Sequence, residues 1–381
     1  MLKCIVDTPY HSVKIGKLPT GCRYCVRGEK LVLLVTGVCS SKCWYCPLST
    51  EKKNRDSVVA NEWWTEKDQD VVAEARLSGA KGAGITGGDP LCRLSRTIKY
   101  IRLLKKTFGK KFHIHLYTTG KNASPAKIKK LYGAGLDEIR FHPDFLSGKP
   151  DLKPITWALE YGWDVGCEIP LIPGKIRETK KFIKAVDGLG VKFLNLNQLE
   201  ISESNALELD IRGFRPVDGI IFAVKGTEDM AEKILEFCLD NTKLNVHYCT
   251  VKLKDGVQLK NRLRKRAKNV AKDYDVVTEE GLLIRGAVYL KGWLPSYGYK
   301  RRMKKQSISS RKRTMELAYL LGKKYAIPDN LVEADLTRGR VLTGAWVVEN
   351  LSGELKKEGY LPAVVEEYPT WDSLITDLRI A

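Results

Sequence analysis

The sequence lacks any apolar run long enough to cross a membrane. Its first residues, MLKCIVDTPYHSVKIG, contain no apolar core of the length that a signal peptide needs. The longest apolar run near them, 31–35, is far too short to span a bilayer. There is no low-complexity segment, and no tandem repeat beyond the strand–helix rhythm described below. We therefore expect a soluble, cytoplasmic protein with no membrane partner.

Acidic residues are also in short supply. Lys and Arg number 65 against 45 Asp and Glu, which gives a formal net charge of +20 over 381 residues. Hydrophobic residues at 43% and charged residues at 29% are close to the globular average, so wholesale disorder and a membrane bundle are both excluded. The positive surplus favours polyanionic partners but carries no information about the fold.

The ten cysteines are not expected to form a disulfide framework, because the chain is long and their spacing is irregular. We expect them to remain thiols and to serve metal or redox chemistry where they cluster.

Between residues 29 and 247 short apolar runs alternate with amphipathic segments rich in Lys and Glu, which is typical of βα units. The predicted strands are 31–36, 82–86, 112–117, 138–142, 164–170, 192–198 and 244–247. The predicted helices are 66–78, 95–108, 124–132, 153–161, 177–189 and 227–240, with Ser95 and Ser124 as candidate N-caps. Six such units predict a parallel sheet, open or closed, with its site at the C-terminal ends of the strands.

Beyond residue 250 the rhythm changes to a basic helix near 257–271, a hairpin around 282–290 and a helix near 311–324. We divide the chain into a cysteine-containing extension (1–28), an α/β domain (29–250) and an α+β C-terminal region (251–381).

The strongest motif is TGVCSSKCWYCPLS, which places Cys39, Cys43 and Cys46 in one short segment directly after the first predicted strand of the α/β domain. Thiolates are the usual ligands of iron–sulfur clusters, and three of them leave one iron open to a small chelating molecule. The alternative is an incomplete zinc site.

The spacing C-x3-C-x2-C, with Tyr45 before the last cysteine, resembles the signature of the radical S-adenosylmethionine (SAM) superfamily. Residues 29–250 are similar to archaeal members related to pyruvate formate-lyase activating enzymes. The resemblance implies a (β/α)6 partial TIM barrel and a [4Fe-4S] cluster on Cys39, Cys43 and Cys46, with SAM on the fourth iron. It further implies that one electron cleaves SAM to a 5′-deoxyadenosyl radical that abstracts hydrogen, and that Tyr45 lies against the adenine.

The same resemblance extends to ITGGDP at 85–90, where the superfamily commonly has a Gly-Gly-Glu segment that meets the methionyl amino group. It implies a SAM contact at Gly87, Gly88 and Asp89, although Asp89 is one methylene shorter than the usual acid. Polar residues at later strand ends, Thr119, Glu168 and Asn197, are expected to meet the ribose or the methionine.

A second cysteine group precedes the barrel in PTGCRYCVRGEK. Cys22 and Cys25 have the spacing of a metal knuckle, which needs further ligands from His247 and Cys249 or from Cys4. Zinc or an auxiliary cluster is the favoured interpretation, and a redox pair or plain thiols are the others. Cys249 is a difficult partner, because it ends a parallel strand whereas Cys25 precedes one.

Residues 252–313 contain nineteen basic and five acidic residues, and so hold +14 of the total charge. With Trp293, Tyr297 and Tyr299 nearby, this segment predicts RNA binding, since stacked bases and phosphates suit aromatic and basic side chains. The candidate nucleic-acid residues are Arg262, Arg264, Lys265, Arg266, Lys300, Arg301 and Arg302.

We therefore expect a radical SAM enzyme that modifies RNA, most plausibly transfer RNA, and that takes electrons from a donor such as ferredoxin or flavodoxin. One alternative is an activase-like enzyme with a protein or peptide substrate. The other is a non-catalytic iron–sulfur or zinc protein that binds nucleic acid.

Overall fold

The chain divides into two compact units, Met1–Arg262 and Leu263–Ala381. A computed structural model describes residues 3–296 and 307–381, and of Ile221 the backbone alone. Within these ranges, no helix is both long and apolar enough to cross a membrane. Lys300, Arg301 and Arg302, together with Tyr297 and Tyr299, lie outside the described residues.

The first unit contains all seven predicted strands and six hairpin strands that the sequence did not reveal. In chain order its strands are β1 (Ile5–Thr8), β2 (Ser12–Ile15), β3 (Lys30–Leu34), β4 (Val58–Ala60), β5 (Trp63–Thr65), β6 (Gly82–Thr86), β7 (His113–Thr118), β8 (Glu138–Phe141), β9 (Asp164–Leu171), β10 (Phe193–Gln198), β11 (Pro216–Val217), β12 (Ile220–Val224) and β13 (Asn245–Cys249).

The helices of this unit lie between these strands and include the six that were predicted. They are α1 (Thr20–Val26), α2 (Asp68–Leu77), α3 (Leu94–Phe108), α4 (Pro125–Gly133), α5 (Lys153–Leu159), α6 (Ile176–Gly188), α7 (Ala206–Ile211), α8 (Thr227–Asn241) and α9 (Val251–Leu253), followed by a π-helical turn (Lys254–Leu259) and α10 (Lys260–Val270). The boundary between the units falls within α10, beyond the predicted boundary at residue 250.

The central sheet is a partial TIM barrel, as expected. Its order is β1-β2-β13-β10-β9-β8-β7-β6-β3-β4-β5, and the seven strands from β13 to β3 are parallel. Antiparallel hairpins extend both edges, so the sheet does not close. Residues 3–28 supply one hairpin and helix α1 in place of a knuckle turn, because Cys22 and Cys25 both lie within α1.

Local chemistry explains where two of the helices begin. Ser124 caps α4 as predicted, since its hydroxyl accepts from the Lys127 amide at 3.4 Å and Pro125 follows it. Ser95 does not cap α3, because a 3₁₀ turn at Pro90–Arg93 precedes the helix. The cap of that turn is Asp89, whose carboxylate accepts from the Leu91 amide at 2.9 Å.

Strand register divides the barrel into an apolar outer face and a polar inner face. Ile85, Ile114 and Leu194 are fully buried in the core between the sheet and the helices. The neighbouring inward positions are paired side by side around the barrel. These inner residues include Lys30, Gly84, His115, Tyr117, Glu138, Arg140, Glu168, Asn195, Asn197, His247 and Cys249.

The second unit is an antiparallel sheet with helices, which agrees with the predicted α+β region. Its elements after α10 are β14 (Val276–Val277), β15 (Leu283–Tyr289), α11 (Ile308–Lys324), β16 (Glu333–Asp335), β17 (Arg340–Thr343), α12 (Ala345–Lys357), β18 (Leu361–Glu367) and β19 (Ile375–Ile380). The strand order is β16-β17-β15-β18-β19, with β14 paired to β15. On one face of the sheet, Val288 of β15 forms a core with Leu317 and Leu321 of α11 and Val348 of α12.

Candidate functional site

One large cavity, of about 1080 Å³, lies inside the partial barrel and reaches the C-terminal ends of its strands. This is where sites in parallel α/β sheets occur. Its wall brings together residues that are far apart in sequence. They include Cys25, Lys30, Cys39, Cys43, Tyr45, Cys46, Gly84, Gly87, Gly88, Tyr117, Thr119, His142, Glu168, Asn197, Glu200, Lys254 and Gln258.

The triad loop, residues 37–48, follows β3 and places all three cysteine thiols on this wall, each partly buried. Backbone bonds hold the start of the loop against the next strand end, since the Gly88 amide donates to Thr36 and the Asp89 amide to Val38, at 2.7 and 2.8 Å. Within the loop the Cys46 amide donates to the Cys43 carbonyl at 3.2 Å. Three thiols on one open cavity fit a cluster that keeps one iron free.

Burial in this loop disfavours the thiolate form. It raises the pKa of Cys39 to about 11, with smaller contributions from Asp89 and the Cys43 thiol. Burial likewise raises the pKa of Cys43, and it outweighs the opposing effect of a hydrogen bond between the Cys43 thiol and the Tyr45 hydroxyl. Without metal these two thiols are therefore neutral. Because iron binds the thiolate form, loading of the cluster releases their protons.

The Gly-Gly-Asp turn has two parts with different roles. A Cβ on Gly87 would lie 2.3 Å from the Thr36 carbonyl oxygen, and one on Gly88 2.3 Å from that of Val38, so only glycine fits at either position. Both glycines line the cavity, where bare backbone is open to a ligand.

Asp89 does not line the cavity, which corrects the predicted SAM contact. It is fully buried, and its carboxylate accepts from the hydroxyls of Thr118 and Thr119, at 2.9 and 2.6 Å, and from the Thr119 amide. These donors occupy the shorter acid, so Asp89 ties the turn to the end of β7. Thr119 remains on the cavity wall.

Tyr45 is buried and held by His142. The His142 Nδ1–H donates to the Glu168 carbonyl at 2.8 Å, so its Nε2 accepts from the Tyr45 hydroxyl at 3.0 Å. Burial lowers the pKa of His142, which keeps the ring neutral, as this arrangement requires. The ring of Trp44 meets that of Tyr45 edge-on at 5.1 Å. These contacts hold the Tyr45 ring in one orientation on the cavity wall.

Glu168 is the polar centre of the wall. Its carboxylate accepts from Arg140 and Asn195, each at 2.8 Å, and from Asn197 at 3.1 Å. Burial alone would raise the pKa of Glu168, but the Arg140 guanidinium and the two amides outweigh it and lower the pKa to about 2. Glu168 is therefore a carboxylate at any physiological pH.

Arg140 in turn lies almost completely buried in the barrel. It donates to Glu138 at 2.6 Å and to the Tyr117 hydroxyl at 3.2 Å, besides Glu168. Burial opposes its charge, but the surrounding acids raise the pKa of Arg140 well above its usual range. One cation thus joins two strands through two carboxylates.

The second cysteine group is drawn into the barrel floor by helix α1. Cys22 is buried, and its sulfur accepts from Arg140 at 3.4 Å and from Asn195 at 3.3 Å. Cys25 contacts the Gln258 carbonyl oxygen at 3.2 Å. Because α1 packs against the inner face, the bottom-to-top distance to Cys249 disappears, and the Gln258 amide is 4.0 Å from the Cys249 sulfur.

The remaining predicted ligands of this group are placed less favourably. Cys4 is exposed, just before the edge strand β1, and His247 contacts Ser12 at 3.2 Å. Among the described residues, no three His, Cys, Asp or Glu side chains stand in a closed metal-ligand arrangement, in this group or in the triad. The triad differs in its sequence spacing and its open cavity, so zinc at Cys22 and Cys25 gains no support from the geometry.

Two of the seven basic residues predicted to bind nucleic acid are engaged within the protein. Arg262 pairs with Glu62, and Arg266 is buried and donates to the Pro369 carbonyl. These contacts correct the prediction for both arginines, since neither presents its guanidinium to a partner. Arg264 is exposed, and Lys265 is partly buried.

Sequence reasoning missed many cavity residues, among them the polar residues Lys30, Glu200, Lys254 and Gln258. Lys254 pairs with Glu200. No spacing marks these residues as a group. Inward alternation along β3 could have placed Lys30 on the same face as the other barrel polar groups.

Comparison with known proteins now decides the family. The family model of the radical SAM superfamily matches residues 33–159. A protein of Methanocaldococcus jannaschii, provisionally named a glycyl-radical enzyme activating enzyme, is 38% identical over 378 residues, 96% of this chain and 93% of that protein. The chain belongs to the radical SAM superfamily. As a radical SAM enzyme it binds a [4Fe-4S] cluster and SAM, and the non-catalytic alternative is set aside.

Other similarities to this radical SAM enzyme are partial. Residues 281–378 match a model described as a domain of unknown function (DUF8061). The PqqA peptide cyclase of Methylobacterium nodulans is 27% identical over 110 residues, 29% of this chain and 27% of that protein. The structure of SuiB from Streptococcus suis with SAM bound covers 58% of this chain and 50% of its own, with 12% identity and a TM-score of 0.42. We draw nothing further from so low a score.

Proposed function

We propose that this radical SAM enzyme abstracts a hydrogen atom from a polypeptide, in the manner of an activating enzyme. One observation carries the proposal. The 38% identical relative, whose provisional name is that of an enzyme acting on a glycyl-radical enzyme, aligns over 96% of the chain and therefore over both units. The alternative predicted from the activase likeness thus has more support than RNA modification.

Different residues of the cavity wall have different roles in the proposed reaction. When bound, the cluster and SAM supply the one-electron chemistry that removes hydrogen from a carbon atom. Cys39, Cys43 and Cys46 would hold the cluster, and the exposed backbone of Gly87 and Gly88 would accept a ligand at close range.

The polar residues near the strand ends would orient SAM. Thr119 and Asn197 offer neutral hydrogen-bonding groups to the ribose or the methionine, and the Glu168 carboxylate accepts hydrogen bonds without taking up a proton. Tyr45 would support the adenine, since His142 fixes its ring. Each of these roles places a bound molecule without moving a proton.

An RNA substrate, our first expectation, has weaker support. Neither the Methanocaldococcus nor the Methylobacterium relative carries the name of a nucleic-acid enzyme. Of the seven candidate residues, Arg262 and Arg266 are engaged within the protein, and three lie outside the described residues. We further propose that a small redox protein such as ferredoxin or flavodoxin supplies the electron.

Transfer of deuterium tests the substrate class directly. The reconstituted enzyme is incubated anaerobically with SAM, a strong reductant and total protein from source cells grown on glycine deuterated at Cα. Deuterium in the recovered 5′-deoxyadenosine, absent when the protein fraction is digested to free amino acids, is the expected result. Product formation that is stimulated only by transfer RNA, with no deuterium from protein, would contradict the proposal.

A further inference from the structure

The cavity extends from the cysteine loop into the barrel interior and reaches Lys30, at the N-terminal end of β3. Its inner end is lined by Cys25, Lys30, Tyr117 and Gln258, whereas the triad and the glycine pair line its outer end. Lys30 is the first residue of β3, so its Cα lies at the opposite end of the strand from the triad loop. A SAM molecule held at the outer end would leave this inner space for the substrate.

Lys30 is the unusual residue of this inner end, because it is only 6% exposed and has no carboxylate partner. Among the described residues, no Asp or Glu oxygen lies within ion-pair distance of its ammonium. Its polar contact is the Cys25 sulfur at 3.7 Å, and the Tyr117 ring centroid lies 5.9 Å away. A buried ammonium without a counter-ion is costly unless something else neutralises it.

The other charged groups of the cavity wall are already in direct ion pairs. Lys254 pairs with Glu200, and Arg140 pairs with both Glu168 and Glu138. With both acids around Arg140 counted, Lys30 makes the set electrically neutral, but of these three cations it is the one whose ammonium no carboxylate contacts directly. Lys30 is therefore the cation that is available to an incoming anion.

The fold also reserves space for this lysine. A Cβ on Gly84 would lie 2.6 Å from the Lys30 Cε and 2.8 Å from the His115 Nε2, so Gly84 leaves room for both side chains in their present positions. Lys30 and Gly84 both line the cavity. The ammonium thus has a defined approach to the cavity and is not held by a competing acid.

We propose that the inner end of the cavity is a carboxylate-binding subsite, in which the Lys30 ammonium pairs with a carboxylate of the substrate. This inference rests on the proposed polypeptide substrate for the source of the carboxylate, which is either the C-terminus of a polypeptide or an Asp or Glu side chain. Pairing there would hold the substrate at a fixed depth below SAM.

Alkylation of Cys25 measures the field at this position, because its sulfur lies beside the ammonium. The cluster-loaded protein without SAM is treated in parallel with iodoacetate, which is anionic, and iodoacetamide, which is neutral. In both reactions the sulfur displaces iodide and forms a C–S bond, and mass spectrometry gives the rate at each cysteine. The ratio of the two rates cancels the intrinsic reactivity of the thiol and reports attraction of the anion.

We expect the iodoacetate-to-iodoacetamide ratio at Cys25 to exceed that at the exposed Cys4 of the same molecules by about tenfold. Lys30→Met should bring the ratio down to the Cys4 value, and Lys30→Arg should keep it high. Lys53→Met is the matched control, since it removes one positive charge from an exposed position on the outer wall and should not change the ratio.

Equal ratios at Cys25 and Cys4 in the unmodified protein would overturn the subsite, and this comparison needs no variant to fold. An iodoacetate-to-iodoacetamide ratio at Cys25 that stays high in Lys30→Met would also overturn the subsite, because the attraction would not come from Lys30. A Cys25 that reacts with neither reagent would count equally against it, because a substrate carboxylate could not reach Lys30 either.

Protection experiments identify the source of the carboxylate. Triglycine at millimolar concentration should slow iodoacetamide at Cys25 if a C-terminus binds, and acetyl-Gly-Asp-Gly-amide should do so if a side chain binds. Triglycine amide is the neutral control. If neither triglycine nor acetyl-Gly-Asp-Gly-amide slows the reaction, the proposal that a polypeptide supplies the carboxylate is wrong. None of these measurements uses SAM cleavage, so their failure and a failure of deuterium transfer are separate results.

Discussion

Two buried arginines, Arg140 in the barrel and Arg340 in the second unit, are surrounded by nearly the same chemistry. Arg140 donates to Glu138, Glu168 and the hydroxyl of Tyr117. In each case a guanidinium with almost no exposed surface joins two carboxylates and a tyrosine.

The set around Arg340 matches that arrangement group by group. Arg340 pairs with Glu367, donates to Asp335 at 3.0 Å and reaches the Tyr289 hydroxyl at 3.1 Å. As for Arg140, burial opposes the charge and the neighbouring acids raise the pKa of Arg340 above its usual range. Both sets follow the rule that a buried charge is matched by opposite charges and hydrogen bonds.

The two sets differ in where their carboxylates lie. Glu367 is completely buried, so its oxygens are used within the unit. Glu168 borders the large cavity, where its carboxylate also accepts from Asn195 and Asn197. Arg340 and Asp335 border a smaller cavity, of about 470 Å³, in the second unit, so the contrast lies between Glu168 on the wall of the large cavity and Glu367, which lines neither cavity. Four changes test this contrast.

The largest expected effect is that of replacing Cys39, Cys43 and Cys46 together by Ala. The visible absorption of the cluster should disappear, and 5′-deoxyadenosine should fall to the detection limit, because no iron ligand remains in the loop. Both arginine networks lie outside the loop, so the fold should be unaffected. The circular dichroism spectrum of the metal-free variant should match that of the metal-free parent protein.

Cys92→Ala is the matched control for the triad. Cys92 lies next to the Gly-Gly-Asp turn and its sulfur accepts from Asn122 at 3.2 Å, but it does not line the cavity. This variant should keep the cluster. Loss of the absorption in Cys92→Ala would contradict the assignment of three ligands.

Next in size are Arg140→Met and Arg340→Met. Each leaves two carboxylates without their cation and should lower the free energy of unfolding by about 3–5 kcal/mol, measured by denaturant titration. Only Arg140→Met should also change SAM cleavage per folded molecule, since it releases Glu168 at the cavity. Equal losses of activity in the two variants would remove the functional contrast between the sets.

A smaller, pH-dependent effect is expected for Glu168→Gln. The pKa of Glu168 in the folded protein, about 2, lies below the ordinary value near 4.3 of the unfolded chain. The ionised carboxylate therefore stabilises the folded state fully above about pH 5, and this stabilisation is lost as the pH falls towards 2. The variant should be less stable than the parent by about 2–3 kcal/mol at neutral pH. Unfolding titrations between pH 7 and pH 3 should show that difference narrowing, and a constant difference would contradict it.

The smallest expected effect is that of Tyr45→Phe. The change removes the hydrogen bond from the Tyr45 hydroxyl to His142, together with the contact of that hydroxyl with the Cys43 thiol, and should cost about 1 kcal/mol. The apparent affinity for SAM should fall only a few-fold, because the ring and its contact with Trp44 remain. A loss of SAM binding as complete as that of the cysteine variant would show that the hydroxyl itself contacts the ligand.

The barrel was predictable from the sequence because each strand and helix carries its own periodicity. The six predicted helices and seven predicted strands are all present, and Ser124 caps α4 as expected. The short hairpins that extend the sheet were not recognised, because β4 and β5 have three residues each and too few positions to show alternation.

The candidate site was predictable only where its residues are close in sequence. The triad and Gly87–Gly88 were found by spacing and do line one cavity. Asp89 was misplaced, because its hydrogen bonds to Thr118 and Thr119 depend on how two strand ends meet. Arg266 was misread as a surface charge, since helical position does not reveal a buried carbonyl partner contributed by residue 369.

The sequence alone determined the family of this protein, its cofactors and the alternation of strands and helices. These properties follow from local spacing, which survives in any extended stretch of polypeptide. Only the tertiary structure decided which charges are matched. It brought Cys25 and Lys30 to the inner end of the cavity, gave Lys254 its partner in Glu200 and left Lys30 without one. Pairing of buried charges depends on distances across strands, and no spacing along the sequence encodes those distances.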